Sequence, residues 1–176
     1  MMNVQNVTGV LIIGLLMGMV GCKADEAVRF DLRIVADDTM RQANLLPSFE
    51  VDIVGVEPSA SQLWYNLSLN DYFSGKSKIR ASAKRYTVRF SNDDVKPKIL
   101  VKDDPIWQEW FEKGATEFYI LASLPGLHDD KPGPQDPRRL ILPLDIERWK
   151  TDQIEIKVFK GSVSSTTPPL PAPEPK

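Results

Sequence analysis

Residues 28–34 of the chain read VRFDLRI, with an apolar side chain at every second position and a charged one between. A repeat of two residues is typical of a β-strand that buries one face and leaves the other in water. The same alternation recurs at residues 49–53, 86–90 and 154–158. Four such strands predict a fold that is mainly β.

Three further stretches complete the predicted sheets. Residues 118–124 are apolar on both faces, which indicates a central strand covered from both sides. Residues 98–101 and 140–144 are short strands, and Pro143 favours an edge position for the latter because proline donates no ladder hydrogen bond. Gly55 and Pro58 are expected to end the strand that starts at residue 49. Seven short strands separated by turns predict a two-sheet β-sandwich.

Two short helices are expected beside the sheets. One covers residues 61–71, where apolar side chains recur every three to four positions. The other covers residues 105–113, because Asp104 can cap a helix N-terminus and Pro105 fits the first helical position. Trp107 and Trp110 lie on this second helix. Large aromatic side chains dominate core burial, so we interpret them as packing onto a sheet and not as a ligand site.

The segment before the first strand predicts an export signal. An apolar run at residues 10–20 is followed by Gly21 and Cys22, the only cysteine in the chain. A short apolar core that ends at small residues is typical of a secretory signal peptide. The alternative is an uncleaved anchor helix, but the run has 11 residues, against about 20 needed to cross a bilayer.

The predicted organisation therefore has four parts. Residues 1–21 form a signal peptide, residues 22–27 a tether, residues 28–160 the sandwich domain, and residues 161–176 a Pro-rich tail predicted to be disordered. The 155 residues from 22 to 176 amount to one domain.

The composition and motifs do not indicate catalysis, metal binding or nucleic-acid binding. A formal net charge of −2 leaves no basic footprint for nucleic acid. The only histidine, His128, stands beside Asp129 and Asp130, which is too small a ligand set to predict a metal site. No nucleophile motif such as Gly-x-Ser-x-Gly is present. The sequence therefore predicts no enzyme, no cofactor and no metal.

The connection at residues 36–47 is the candidate binding segment. Twelve residues is long for a link between neighbouring strands, and binding residues gather on loops held by a rigid scaffold. Its candidate contact residues are apolar anchors with a polar rim: Met40, Arg41, Asn44, Leu45 and Leu46. Two alternatives stay open: Leu45 and Leu46 fold back onto the core edge, or the loop at residues 125–139 makes the contact.

The end of the apolar run, LLMGMVGC at residues 15–22, resembles the lipobox of bacterial lipoproteins. The order of elements resembles the outer-membrane lipoproteins of the type VI secretion system (T6SS), the TssJ family. The residues that carry this resemblance are Cys22, the strand at 30–35, the loop to Asn44, Pro47-Ser48 with the strand at 49–56, and Asp71-Tyr72-Phe73.

The resemblance implies a transthyretin-like sandwich and a non-enzymatic role. It implies that Cys22 carries acyl chains such as palmitate and that Lys23, where an aspartate would favour the inner membrane, directs the protein to the periplasmic face of the outer membrane. It also implies that the loop at residues 36–47 docks the periplasmic domain of an inner-membrane partner, TssM in that system. The alternative function is a solitary periplasmic lipoprotein that binds a small ligand or glycan.

Overall fold

The computed structural model describes residues 30–172. Cys22, the signal peptide and the tether lie outside the described residues, so the predictions made for them stay predictions. Between residues 30 and 172, no helix combines the length and the apolar character that crossing a membrane requires.

Eight strands and four short helices make up the described chain. In chain order they are β1 (Asp31–Ala36), β2 (Phe49–Val56), α1 (Pro58–Tyr65), α2 (Leu69–Phe73), α3 (Lys78–Ser82), β3 (Arg85–Phe90), β4 (Lys98–Leu100), α4 (Pro105–Glu112), β5 (Glu117–Ala122), β6 (Arg139–Pro143), β7 (Gln153–Phe159) and β8 (Ser162–Ser165).

The strands form two four-stranded sheets. The first has the order β4-β1-β7-β8, and its central pair β1 and β7 is parallel. The second has the order β3-β2-β5-β6 and is antiparallel throughout. The predicted mainly β, two-sheet sandwich is confirmed, and the strand at 140–144 does lie at a sheet edge.

The main core fills the space between the two sheets. The inward side chains of the alternating strands meet there, so that Leu32, Ile34, Ile53 and Ile156 are fully buried. A second, smaller cluster lies on the outer side of the second sheet, beneath α1 and α2. The central strand β5 contributes to both clusters, which explains why residues 118–124 are apolar on both faces.

Helix α4 closes one end of the main core. The Asp104 side chain accepts a hydrogen bond from the Ile106 N–H (2.9 Å), and Gly114 ends the helix with a φ of 75°. Trp107 and Trp110 are 2% and 1% exposed, and their rings meet edge to face at 5.1 Å. The interpretation of both tryptophans as core residues is confirmed.

The predicted helix at residues 61–71 is wrong in its extent. It is two helices, because Ser68 caps a new helix by accepting from the Asp71 N–H (3.1 Å). Ser77 caps the unpredicted α3 in the same way through the Arg80 N–H (3.1 Å). Serine favours such caps over helix interiors. The structure therefore has four short helices where the sequence predicts two.

The prediction of a disordered tail is wrong for its first part. Residues Ser162–Ser165 form β8, which pairs antiparallel with β7. Val163 is 6% exposed and belongs to the main core. Further along, the Leu170 N–H donates to the Arg148 carbonyl (2.7 Å). One buried valine together with ladder hydrogen bonds is enough to order a segment that looks polar by composition.

Deleting residues 162–176 should lower the melting temperature of the domain by several degrees. Burying one valine contributes about 1.5–3 kcal/mol, and the deletion also removes the ladder partner of β7. Thermal unfolding followed by circular dichroism measures the effect, with Ser164→Ala, on the opposite face of β8, as a control that should change little. An unchanged melting temperature for the deletion would restore the prediction of a disordered tail.

Candidate functional site

One end of the sandwich, which we name the far end, carries three of the loops that connect the strands. β1 runs from Asp31, next to the first described residue, to Ala36 at this end. β2 starts where β3 and β5 finish, because Phe49 pairs with Phe90 and the Ser123 N–H donates to the Glu50 carbonyl (2.9 Å). The β1–β2 loop (residues 37–48), the β3–β4 loop (91–97) and the β5–β6 loop (123–138) therefore share this far end.

The β1–β2 loop begins with one turn of 3-10 helix. The Asp37 side chain caps the turn by accepting from the Thr39 N–H (3.0 Å). Hydrogen bonds from the backbone and the side chain of Thr39 hold the pKa of Asp37 below its usual value, and the positive charge of Lys157 adds to the effect. The turn directs Met40 into the main core, where it is 2% exposed.

A miniature hairpin follows. Gln42 and Leu45 exchange two backbone hydrogen bonds of 2.8 and 2.9 Å. The two residues between them, Ala43 and Asn44, have φ angles of 48° and 65°. Positive φ at both central positions is the geometry of a tight two-residue hairpin turn, and it is unusual for alanine. Such backbone strain persists only where the surrounding structure over-determines it.

The structure divides the five predicted contact residues into two groups. Met40 and Leu46 are 2% and 4% exposed, so their predicted role as surface anchors is wrong: the core takes both side chains because they flank the hairpin at its base. Arg41, Asn44 and Leu45 are on the surface, and Leu45 is 58% exposed. The alternative that the apolar pair folds back onto the core therefore holds for Leu46 and fails for Leu45.

The hairpin is braced from neighbouring elements. The Leu46 N–H donates to the Asn92 side chain of the β3–β4 loop (3.4 Å), and the Lys160 N–H donates to the Thr39 hydroxyl (3.3 Å). Buried residues anchor the loop on both sides of its exposed part. We name residues 41–45 the exposed tip. Its side chains face solvent, and the residues on either side of it hold it to the domain.

The β5–β6 loop, the competing candidate, is held by two buried arginines. The Arg138 guanidinium donates to both oxygens of Asp136 (3.0 and 2.8 Å) and to Asp130 (2.6 Å). Arg139 donates to main-chain carbonyls, including those of Tyr65 (2.7 Å) and Gly133 (3.2 Å). Sequence reasoning missed this scaffold, although the run Asp-Pro-Arg-Arg at residues 136–139 was its visible signal.

Asp130 ties the same loop to α2. Its carboxylate accepts from the Ser68 hydroxyl (2.6 Å) and from the Leu69 and Asn70 N–H groups (2.9 and 3.1 Å). Partial burial by itself would raise the pKa of Asp130, but these hydrogen bonds and Arg138 outweigh it and lower that pKa. Burial would also raise the pKa of Asp136, but its hydrogen bonds from Arg138 outweigh that effect and lower the pKa. Both carboxylates are therefore ionised partners of Arg138.

A groove of about 320 Å³ lies between α2 and this loop, lined by residues such as Ser48, Phe73 and His128. Within it, the Asn70 side chain donates to the His128 carbonyl and accepts from Arg138 (2.8 Å). Across residues 30–172, no group of three or more histidine, cysteine or acidic side chains is placed to hold a metal ion.

Comparison with known proteins relates the chain to others by fold. No protein-family model matches it, and no curated protein is significantly similar. The solved T6SS lipoprotein TssJ1 from Pseudomonas aeruginosa is 10% identical, and the alignment covers 84% of this chain and 99% of that one with a TM-score of 0.50.

Two further structures match over a similar part of the chain. One is a chain in the structure named "T6SS protein TssM C-terminal domain (869-1107) from EAEC", with 16% identity, 77% of this chain and 98% of that one covered, and a TM-score of 0.51. The other is a chain in "Type VI membrane complex", with 15% identity, 77% and 95% covered, and a TM-score of 0.50.

These likenesses establish a shared fold. The structural neighbours are T6SS components, the same system to which the TssJ-like order of elements points, and TssJ1 aligns over almost its whole length. Their names describe a lipoprotein and parts of a membrane complex.

Proposed function

We propose that the chain is a lipid-anchored periplasmic protein of the outer membrane that docks an inner-membrane partner in a T6SS membrane complex. The acylated Cys22 holds one end, and the exposed tip of the β1–β2 loop contacts a TssM-like periplasmic domain at the other. The protein acts by binding, and no chemical step is assigned to it.

The observation that carries the proposal is Leu45 on its braced hairpin, 58% exposed at the far end of a TssJ1-like fold. Because the loop is already ordered, little conformational entropy is lost when a partner binds it. An exposed apolar side chain on such a loop can serve as an anchor within a polar rim. Arg41 and Asn44 supply that rim, and Arg41 is itself positioned by Asp38, whose carboxylate lies 3.3 Å from its Nε.

The position of the tip suits a bridging role. The six residues of β1 span about 20 Å at roughly 3.3 Å per residue. The tip therefore lies on the side of the domain away from Asp31, and a domain anchored through Cys22 would present it toward the periplasm. This geometry favours docking to a partner that approaches from the opposite membrane.

The test is a binding measurement with the purified periplasmic domain of the TssM-like partner from the same organism. Leu45→Asp should weaken binding by about 30-fold or more, because an interface anchor contributes about 2 kcal/mol or more. Leu63→Asp on α1 is the matched control, since Leu63 is 55% exposed but lies away from the far end. Isothermal titration calorimetry measures both, and circular dichroism checks that both variants fold.

A second variant tests the whole tip. Residues 41–45 are replaced by a Gly/Ser segment of equal length, with Met40 and Leu46 kept because they belong to the core. If this variant and Leu45→Asp both bind like the wild type, the tip is not the contact, and the β5–β6 loop becomes the next segment to test. If Leu63→Asp weakens binding as much as Leu45→Asp, the contact lies on the side of the domain.

A further inference from the structure

Of the four edge strands of the two sheets, β3 is the best suited to pair with a further strand. The other three are short or interrupted: β4 has three residues and follows Pro97, β8 has four residues, and β6 ends on Pro143. β3 has six residues and no proline. Natural proteins use short strands and prolines to prevent pairing at sheet edges, and β3 has neither feature.

The free side of β3 has no neighbouring strand among the described residues. Within residues 30–172, the only backbone partner of β3 is β2 on its other side, so half of its N–H and C=O groups point outward unpaired. A groove of about 410 Å³ borders the start of the strand, where Arg85 and Thr87 line it together with Ile106 and Glu109 of α4. An extended chain could lie along this edge.

The outer face of β3 is basic. Its side chains there are Arg85, Thr87 and Arg89, which stand beside Glu50 and Asp52 of β2. Both carboxylates are already paired with Arg80 of α3, at 2.7 and 2.8 Å. Three arginines therefore share two carboxylates, and Arg89 stays 76% exposed with its Nε 3.4 Å from Glu50. The edge offers a net positive charge to an incoming strand.

The inner face of β3 is apolar, with Val88 and Phe90 5% and 2% exposed and Tyr86 packed against the main core. The two faces together define a pattern for whatever pairs with the edge. A neighbouring strand places its side chains directly beside those of β3. The complementary segment therefore has acidic residues beside Arg85 and Arg89 and apolar residues beside Tyr86, Val88 and Phe90.

A second copy of this chain does not fit that pattern. Antiparallel pairing of two β3 strands centred on Thr87 sets Arg85 directly opposite Arg89, and pairing centred on Tyr86 or Val88 sets an arginine opposite Thr87, so no register supplies a carboxylate from the partner strand. Like charges opposite each other destabilise a pair of strands. A shift by one residue would turn the apolar face outward. Two basic strands thus complement each other poorly, whereas a strand of opposite charge suits the edge.

We propose that the free edge of β3 binds an extended acidic segment of another protein by β-strand addition. Main-chain hydrogen bonds supply affinity in this mode of recognition, and the alternating side chains supply selectivity. The site lies along the side of the domain and is separate from the exposed tip, so it stands or falls independently of the docking function.

The test uses two synthetic peptides and the full-length chain purified in detergent. The acidic peptide is acetyl-Val-Glu-Val-Thr-Ile-Glu-amide, written to pair antiparallel with residues 85–90, and the basic peptide replaces both glutamates with lysine. The acidic peptide should bind at least tenfold more tightly at low salt, and hydrogen exchange should show new protection of amides within residues 85–90. Affinity should fall as the salt concentration rises.

Two variants sharpen the result. Arg89→Gln should weaken the acidic peptide about threefold, within the range of exposed charge pairs, and should not weaken the basic peptide, whose lysine would stand beside Arg89. Lys150→Gln, an exposed lysine outside the edge, makes the same change in charge and should alter neither affinity. Equal binding of the two peptides, protection confined to other strands, or no binding of the acidic peptide at millimolar concentration would each overturn the proposal.

Discussion

Replacing Gly55 with alanine should lower the melting temperature of the domain by about 6–12 °C. Gly55 lies on the inner face of β2, where a β-carbon would stand 2.3 Å from Cγ and 2.6 Å from Cβ of Trp110. Overpacking of a core costs about 1–3 kcal/mol and occasionally more, and we expect the upper end here. For a domain of this size each kcal/mol corresponds to roughly 2–4 °C.

The overlap is costly because the contacted part of Trp110 is fixed to the helix backbone and cannot rotate away. The contacted atoms are the stem of the side chain and not its flexible end. The ring is 1% exposed, and its Nε1 donates to the Lys84 carbonyl (2.9 Å). Its neighbour Trp107 is in turn wedged against Phe30 and Phe118, with ring centroids 5.7 and 6.1 Å apart. Helix α4 as a whole must shift to admit one methyl group.

Gly161→Ala is the matched control for this substitution. An added β-carbon at Gly161 meets no atom within 4 Å, and the backbone there has no positive φ. Alanine at this position should change the melting temperature by a degree or two at most, in a direction set by the small backbone entropy gain. Equal shifts for the two variants would show that Trp110 yields easily and that the end of the core is loosely packed.

Gly55 also illustrates what sequence patterns can and cannot give. A glycine late in a strand predicts that the strand ends there, yet β2 runs through it to Val56. The strands themselves were predictable because alternation is a local property of the chain. The reason for Gly55 lies in Trp110, 55 residues further along, and no local pattern contains that contact.

The errors in the helices and the tail have the same origin. The cap at Ser68 divides a region whose apolar spacing reads as one helix, because Asp130 of a distant loop also satisfies the first N–H groups of α2. The first part of the tail is ordered because Val163 enters the core and because β8 pairs with β7. Amino-acid composition does not reveal either contact. Tertiary contacts override weak local preferences in both places.

The candidate site was predictable in its location and not in its detail. Loop length and the mixture of apolar and polar residues pointed to residues 36–47. Only the structure separates Met40 and Leu46, which serve the core, from Leu45, which faces solvent. The sequence does not distinguish a hydrophobic side chain at the edge of the core from one that anchors a partner. The position of the turn within the loop decides which side chain is buried.

The last prediction concerns the anchor, where the expected effect is a complete loss of membrane retention. Cys22→Ser removes the thiol that the predicted lipid modification requires, so the protein should be found as an unprocessed precursor or in the soluble periplasmic fraction. A single acyl chain binds a bilayer only marginally, with an association constant of about 10⁴ M⁻¹. The three chains of a mature bacterial lipoprotein make retention effectively permanent by comparison.

The anchor variant also separates tethering from docking. Cys22→Ser leaves the exposed tip intact, so its affinity for the partner's periplasmic domain in solution should equal that of the wild type. Assembly in cells should nevertheless fail, because the lipid confines the domain to one membrane and so raises its effective concentration at the partner. Leu45→Asp should show the reverse, with full membrane retention and lost binding. A wild-type mass equal to that of the unmodified full-length chain would contradict the lipid anchor, whereas full assembly with Cys22→Ser would contradict the need for it.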